Sequence, residues 1–398
     1  MGRMMKTNLP DKQAPEPRAS AATPAGTPCS APEIAMAPAG ASPRATSASV
    51  RAIPSTPAAA PAGSALDTGA PRPKAPAAPV RGRFAPTPSG RMHLGNVWCA
   101  LMAWLAVRSQ GGSLILRIED LNPHRVPAGT EEALIDDLRW LGLDWDEGPI
   151  RQSERFALYA EHAARLTAAS LTYPCFCSRA DLHTAEAPHA SDGTPIYAGT
   201  CRGLTPEQVA QRQASRPRPP ALRLIVPSAD DPAGTISFID GTYGPVLEVL
   251  AHECGDFLIQ RSDGVFAYQL AVTVDDVLMG VTQIVRGRDL LPSTARQIYL
   301  QRLLGFAPQP SYAHIPMLLA ADGTRRLSKR DHDCDLGFMR EHFGRPEVLL
   351  GRLAQLGGLR GSAEPTSARE LLDGFSWEAW AAEPSHRQDI PVPSSFFC

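Results

Sequence analysis

The stretch Gly82-Arg-Phe-Ala-Pro-Thr-Pro-Ser-Gly-Arg-Met-His-Leu-Gly-Asn-Val97 decides how this chain is read. A short extended run meets Pro86, Pro88 and Gly90, and an apolar helical face then opens with Val97, Trp98, Leu101, Met102 and Leu105. That order spells a strand, a tight loop and a helix N-terminus. Backbone N–H groups at such a terminus lack intrahelical partners and the helix dipole is positive there, so an anionic phosphate is favoured. Gly95 has no Cβ and lets an adenine or a phosphate approach the backbone, and His93 is placed to hydrogen-bond phosphate oxygens. Alone, His93-Leu94-Gly95-Asn96 is a weak signal, because such a tetrapeptide also arises as chance punctuation before a helix.

A second segment, Arg326-Leu327-Ser328-Lys329-Arg330, follows the turn Ala321-Asp322-Gly323-Thr324. A leaving pyrophosphate needs mobile positive charge, and cations clustered around a hydroxyl suit a loop that closes over a triphosphate. By itself this segment also reads as a solvated basic loop. The two segments in this order, each with its own flanks, point together to a nucleotide site.

Working outward, the apolar helical face ends at Gly111-Gly112 and Ser113 to Ile118 reads as a buried strand. Helical patterns follow at about 130–141 and at 154–169, with Ser153 as the expected N-cap. This βαβ rhythm predicts a parallel sheet with right-handed crossovers, and ligands at the carboxyl ends of its strands. Glu119-Asp120 therefore fall near the site that His93 opens. From about 173 to 260 the rhythm breaks into Gly- and Pro-rich hairpins, with Asp240-Gly241 and Ser262-Asp263-Gly264 as turns and Thr205-Pro206-Glu207-Gln208 as a capped helix start. Asp275-Asp276 are expected to cap a helix or order the core.

Cys175, Cys177 and Cys201 lie close in sequence, whereas the other five of the eight cysteines are scattered. In a reducing compartment such a trio suggests thiolate ligation more than disulfides. Zinc prefers four tetrahedral ligands; Tyr197 would be an unusual oxygen donor beside three sulfurs, and His183 or His189 is the alternative fourth ligand.

The chain resembles the catalytic part of glutamyl-tRNA synthetases, which are class I aminoacyl-tRNA synthetases. It is more closely similar to their truncated paralogues, the glutamyl-queuosine tRNA(Asp) synthetases. The resemblance covers roughly residues 80–335 and rests on the two signatures above and on Arg-Phe-Ala-Pro-Thr-Pro-Ser-Gly at 83–90, Leu-Arg-Ile-Glu-Asp at 116–120, Ala-Tyr-Gln-Leu-Ala-Val-Thr-Val-Asp-Asp at 267–276 and Ile-Val-Arg-Gly-Arg-Asp-Leu at 284–290. It implies a Rossmann-like α/β nucleotide-binding fold in two halves, 81–172 and 261–335. A zinc-binding and acceptor-end insertion at 173–260 separates them, and a short helical region at 336–398 follows.

The resemblance also implies residue roles. Arg83 and Arg286 would hold the glutamate, Glu119 its α-ammonium, with Ala85, Thr87 and Tyr268 lining the pocket; Arg is suited to a carboxylate through its bidentate fork. His93, Gly95, Asn96, Arg326, Ser328 and Lys329 would bind ATP, with His93 and Lys329 stabilising the phosphates in catalysis. Arg326 departs from the Lys usual at that position of the signature. Zinc would be held by Cys175, Cys177, Tyr197 and Cys201, and Mg2+ would accompany ATP. The expected reaction joins glutamate to the queuosine base of tRNA(Asp). A truncated glutamyl-tRNA synthetase and a noncatalytic nucleotide- or RNA-binding protein are the alternatives. The 68 residues after Arg330 are too few for the helical anticodon-binding region expected in the full synthetase.

Composition bounds the rest. Residues 1–80 hold 15 of the 39 prolines amid Ala, Ser, Thr and Gly, so this extension is expected to be disordered because it cannot offset its ordering entropy. The remaining 318 residues are long and apolar enough to bury a sizeable core. The chain to Arg83 carries ten Lys/Arg against four Asp/Glu, leaving 29 against 37 beyond it, so any tRNA surface must be a local basic patch. No apolar run is long enough for a membrane span, and a cytoplasmic monomer is expected.

Overall fold

The computed structural model describes residues 79–122, 124, 126–178, 181, 196–325, 327 and 335–397. Arg326, Ser328 and Lys329, the extension at 1–78, and His183 and His189 lie outside the described residues.

Strand β1 (Arg81–Phe84) leads through the Pro/Gly loop into helix α1 (Leu94–Arg108), as the opening stretch requires. Helix α1 is buried almost all round, which is why its sequence carries no polar stripe. After Gly111, which takes φ +64° in the left-handed region, β2 (Ser113–Ile118) runs parallel to β1, and β3 (Glu147–Arg151) runs parallel to β2. Between β2 and β3 lies α2 (Thr130–Trp140), and α3 (Phe156–Ala168) follows β3. Ser153 is not the cap of α3. It lies in a preceding turn, where its backbone N–H and hydroxyl both donate to Asp120, at 2.8 and 2.5 Å.

The second half of the nucleotide-binding fold is the helix Tyr268–Leu278, strand β9 (Gln283–Gly287), the helix Leu291–Leu303 and strand β10 (Ser311–Ile315), with β9 and β10 parallel. It joins the first half at β1: Thr282 donates its backbone N–H to Arg81 O at 2.8 Å, and Arg81 N–H donates to the Thr282 hydroxyl at 2.8 Å. The switch point of the sheet thus lies between β1 and β9, where a crevice opens at the carboxyl ends of both.

Residues 173–260 divide between two sheets. Strands β4 (Thr172–Cys175), β5 (Ala221–Leu224) and β8 (Phe257–Gln260) form a separate antiparallel sheet. The hairpin of β6 (Thr235–Asp240) and β7 (Gly244–Val249) instead extends the second half, because Asp240 on β6 pairs with Tyr312 on β10. The helix Pro206–Ala214 starts with the expected capping box, Thr205 and Gln208 exchanging bonds of 3.0 and 3.3 Å.

Beyond the second signature, the helices Leu336–Phe343, Pro346–Leu356 and Trp377–Ala382 pack on α1: the ring of Trp98 meets that of Trp380 at 6.1 Å between centroids. No helix among the described residues is long and apolar enough to cross a membrane.

Candidate active site

A cavity of about 440 Å³ occupies the crevice between β1 and β9. Arg83, Ala85 and Thr87 reach it from the end of β1, His93, Gly95 and Asn96 from the start of α1, and Glu119 from the end of β2. Tyr268 enters from the first residue of its helix, Arg286 from β9, and Leu327 from the second signature. Every expected glutamate-pocket residue, and His93, Gly95 and Asn96 of the first signature, therefore line one cavity. The chain after the second signature also returns to the first, since Leu336 donates its N–H to Met92 O at 2.7 Å and Asp335 bridges to His93.

His93 occupies the N-cap of α1 in extended conformation, and its N–H donates to Asn96 Oδ1 at 3.1 Å. A Cβ on Gly95 would stand 2.9 Å from the His93 ring, so glycine here also spares the imidazole its place over the helix start.

The two arginines are held differently. Arg83, 5% exposed, donates from Nη1 to Val285 O at 3.3 Å and sets Nε 3.4 Å from Asp276 Oδ1. The same carboxylate takes a 2.6 Å bond from Arg117, whose other terminal nitrogen meets Glu119 Oε1 at 3.2 Å. Burial works against the ionised form of Asp276, yet Arg117 and Arg83 hold its pKa below the usual carboxylate range. Glu119 goes the other way: burial raises its pKa, and the opposing pull of Arg117 and Arg83 does not cancel it. A cation entering the pocket would supply what Glu119 lacks.

Arg286, 4% exposed, spends three of its N–H groups on neighbours: Nε on His314 Nε2 at 3.0 Å, Nη1 on Gln297 Oε1 at 2.9 Å and Nη2 on Thr294 Oγ1 at 2.8 Å. A guanidinium has five N–H donors, so one on each terminal nitrogen remains for a ligand.

Asp275-Asp276 order the core, the second of the two expectations, and do not cap a helix. Both are buried inside the helix Tyr268–Leu278, where Asp275 collects Gln152, Arg155 and Tyr159 at 2.9, 2.7 and 2.8 Å. Sequence reading missed Arg117, Asp240, Thr294, Gln297 and His314 as parts of this site. The available signal was ionisable residues in otherwise apolar runs, such as Arg117 within Leu114–Ile118 and His314 between Ala313 and Ile315, because a buried charge requires a partner.

A second cluster lies in the three-stranded sheet. The sulfurs of Cys175, Cys177 and Cys201 all fall within 4.8 Å of one another. The Tyr197 hydroxyl is 3.6 Å from Cys175 and 3.5 Å from Cys177, and Cys177 is 3.7 Å from Cys201. Four ligands at about 2.3 Å from a tetrahedral ion stand about 3.8 Å apart, so this arrangement has the size of a metal site. Cationic and N–H donors surround the sulfurs: Arg223 Nε is 3.2 Å from Cys175 and lies over the Tyr197 ring, and Phe176 N–H points to Cys201 at 3.4 Å. Burial acts to raise the Cys201 pKa, but the Phe176 N–H and the Tyr197 hydroxyl hold it below the ordinary thiol value, while burial pushes the Cys177 thiol up to about 11.

A parallel sheet whose switch-point crevice meets a helix start and two fixed guanidiniums defines an α/β nucleotide-binding enzyme core. Residues 79–385 match the family of tRNA synthetases class I (E and Q), catalytic domain, and the chain belongs to that family. It is 48% identical over 314 residues to the glutamyl-Q tRNA(Asp) synthetase of Symbiobacterium thermophilum, covering 76% of this chain and 94% of that one. The enzyme of the same name from Nitratidesulfovibrio vulgaris is 44% identical over 77% of this chain and 94% of its own. Glutamate--tRNA ligase 2 of Acidithiobacillus ferrooxidans is 42% identical, but this chain covers only 64% of it. The crystal structure of a glutamate tRNA ligase from Elizabethkingia meningosepticum in complex with its amino acid superposes with a TM-score of 0.63 at 26% identity, over 75% of this chain and 65% of the other. The protein is thus a ligase of the aminoacyl-tRNA synthetase type.

Proposed function

We propose that this enzyme activates glutamate with Mg-ATP and transfers the glutamyl group to the queuosine base of tRNA(Asp). The observation that carries the reading is the convergence of Arg83, Glu119, Tyr268 and Arg286 on one cavity beside the N-terminus of α1. Relatives named for this activity match over 94% of their own length, which supports it.

Arg83 and Arg286 receive the carboxylate of the glutamate side chain, and Glu119 its α-ammonium, with Tyr268, Ala85 and Thr87 closing the walls. The α-carboxylate then faces the start of α1, where His93, Gly95 and Asn96 hold the nucleotide. Its oxygen attacks the α-phosphorus in line, a P–O bond forms, and the bond to pyrophosphate breaks. Catalysis comes from positioning and charge stabilisation and needs no obligatory general base. His93 stabilises the phosphates together with Arg326, Ser328 and Lys329, whose placement lies outside the described residues. A hydroxyl of the queuosine cyclopentenediol next attacks the acyl carbonyl and AMP leaves. The nucleotide-binding halves 81–172 and 261–335, the insertion at 173–260 whose hairpin β6–β7 extends the second half, and the helical region 336–398 are the working units, in a cytoplasmic monomer.

The sulfur cluster holds one structural zinc ion through Cys175, Cys177, Cys201 and the Tyr197 oxygen, fastening β4 to the segment that carries Tyr197 and Cys201.

The test is transfer of radiolabelled glutamate, with ATP, to tRNA(Asp) carrying or lacking queuosine and to tRNA(Glu). Labelling confined to queuosine-containing tRNA(Asp) is expected. Labelling of tRNA(Glu) would refute this assignment and make the protein a short glutamyl-tRNA synthetase, and no labelling would leave it noncatalytic.

A further inference from the structure

Asp240 and His314 lie outside the cavity, yet they end in a chain of hydrogen bonds that reaches it. Asp240 is the last residue of β6 and His314 the fourth of β10. Both are fully buried. His314 Nδ1 meets Asp240 Oδ2 at 2.6 Å, and the other ring nitrogen, Nε2, faces Arg286 Nε at 3.0 Å. Arg286 has only donors, so Nε2 must accept and the ring proton must sit on Nδ1, donating to Asp240. The other oxygen of Asp240 is itself an acceptor for the backbone N–H groups of Thr242 and Tyr243, each at 3.0 Å, and of His314 at 3.3 Å.

Every bond in the chain has one direction. Asp240 is called on only to accept, which a carboxylate does and an amide cannot do with both of its ends. His314 is thereby kept neutral in one tautomer, and the imidazole is kept neutral also by burial, which pushes its pKa down to about 4.

We propose that Asp240 and His314 are positioning residues for amino-acid recognition, locking Arg286 so that its two uncommitted N–H groups face the carboxylate of the bound glutamate. The proposal rests on the assignment of Arg286 as a glutamate contact. It adds that the hairpin β6–β7, which carries no residue lining the pocket, sets the geometry of that contact through one buried side chain. With the wrong tautomer, Nε2–H would meet Nε–H and the guanidinium would swing away.

The experiment measures initial rates of glutamate transfer to queuosine-containing tRNA(Asp) by full-length Asp240→Asn, His314→Leu and His314→Gln proteins, with glutamate and then ATP varied, beside melting curves. Arg286→Gln serves as the reference. Asp240→Asn and His314→Leu are expected to raise KM for glutamate about tenfold, the low end for losing a charge-assisted bond, while KM for ATP changes less than twofold. His314→Gln, whose amide carbonyl supplies an acceptor for Arg286, is expected to recover most of the loss. A glutamate KM within twofold of the parent for both Asp240→Asn and His314→Leu, with lowered melting temperature only, would make the pair merely structural and overturn the proposal. An unchanged glutamate KM in Arg286→Gln would instead remove Arg286 from the pocket, and the proposal would fall with that assignment. Should Asp240→Asn not fold, the contrast between His314→Leu and His314→Gln decides alone.

Discussion

The floor of the pocket and the sulfur cluster are both small buried sets of polar atoms, but they are assembled from opposite kinds of contact. The cluster draws its members from within 175–201. The pocket floor joins residues far apart in the chain: Arg83 to Asp276, Arg117 to Asp276 and His314 to Asp240. In the first case a metal ion can supply the binding free energy; in the second, charges neutralise one another and leave just enough donors and acceptors over for a ligand. Burying ionic groups is costly unless all are paired, so the floor is justified by recognition more than by stability.

Metal removal should break this comparison most visibly. Chelation, or Cys175→Ser with Cys177→Ser, is expected to cost up to roughly 10 kcal/mol locally, the scale of structural zinc binding, and to release β4 and the Tyr197 segment. Metal analysis should find about one zinc ion per parent chain, and hydrogen exchange should localise the loss to the three-stranded sheet. A cluster that binds no zinc and loses no protection would show that the sulfurs are simply packed.

Next comes Asp276→Asn, which strips a shared carboxylate from Arg83 and Arg117. A loss of about 3 kcal/mol in denaturant unfolding is expected, because two buried guanidiniums lose the charge of the carboxylate they share. Zinc content should not change. A loss below about 1 kcal/mol would mean that water reaches the floor and replaces the carboxylate.

His314 sharpens the picture through pH. Its pKa is about 4 in the folded protein against 6.5 ordinarily. Between these values the unfolded chain takes up a proton that the folded one refuses, so this contribution is intact above about pH 6.5 and is lost as pH falls towards 4. The loss should reach on the order of 3 kcal/mol, and His314→Gln should flatten it in unfolding curves taken across that window. An unaltered slope in the variant would place the acid sensitivity elsewhere.

The smallest effect is expected at the surface. Arg151 pairs with Glu131 at 2.6 Å but is 40% exposed, and Arg151→Ala should cost less than about 1 kcal/mol in thermal unfolding and leave both buried sets untouched.

Reading the residues in order was enough to recover β1, α1 and β2, because apolar periodicity and Gly/Pro punctuation are local properties of the chain. The capping box at Thr205 was legible for the same reason. The expected glutamate and nucleotide residues were read through motif resemblance, and those described line one cavity, whereas the expected zinc ligands gather in a separate cluster. Ser153 was misread, since the preference of serine for helix starts says nothing about a carboxylate 33 positions away. The division of 173–260 between two sheets was likewise hidden, because one pairing of Asp240 with Tyr312 decides where the hairpin belongs.

By itself the sequence determined the alternating strands and helices, the phosphate-favouring start of α1 and the group of sulfurs, all of which depend on neighbours within a few tens of residues. Only the tertiary structure decided how each arginine is aimed. Aim depends on which acceptors are buried beside a guanidinium, and Asp240, Asp276 and His314 become its neighbours only when β6, β9, β10 and the helix Tyr268–Leu278 have packed.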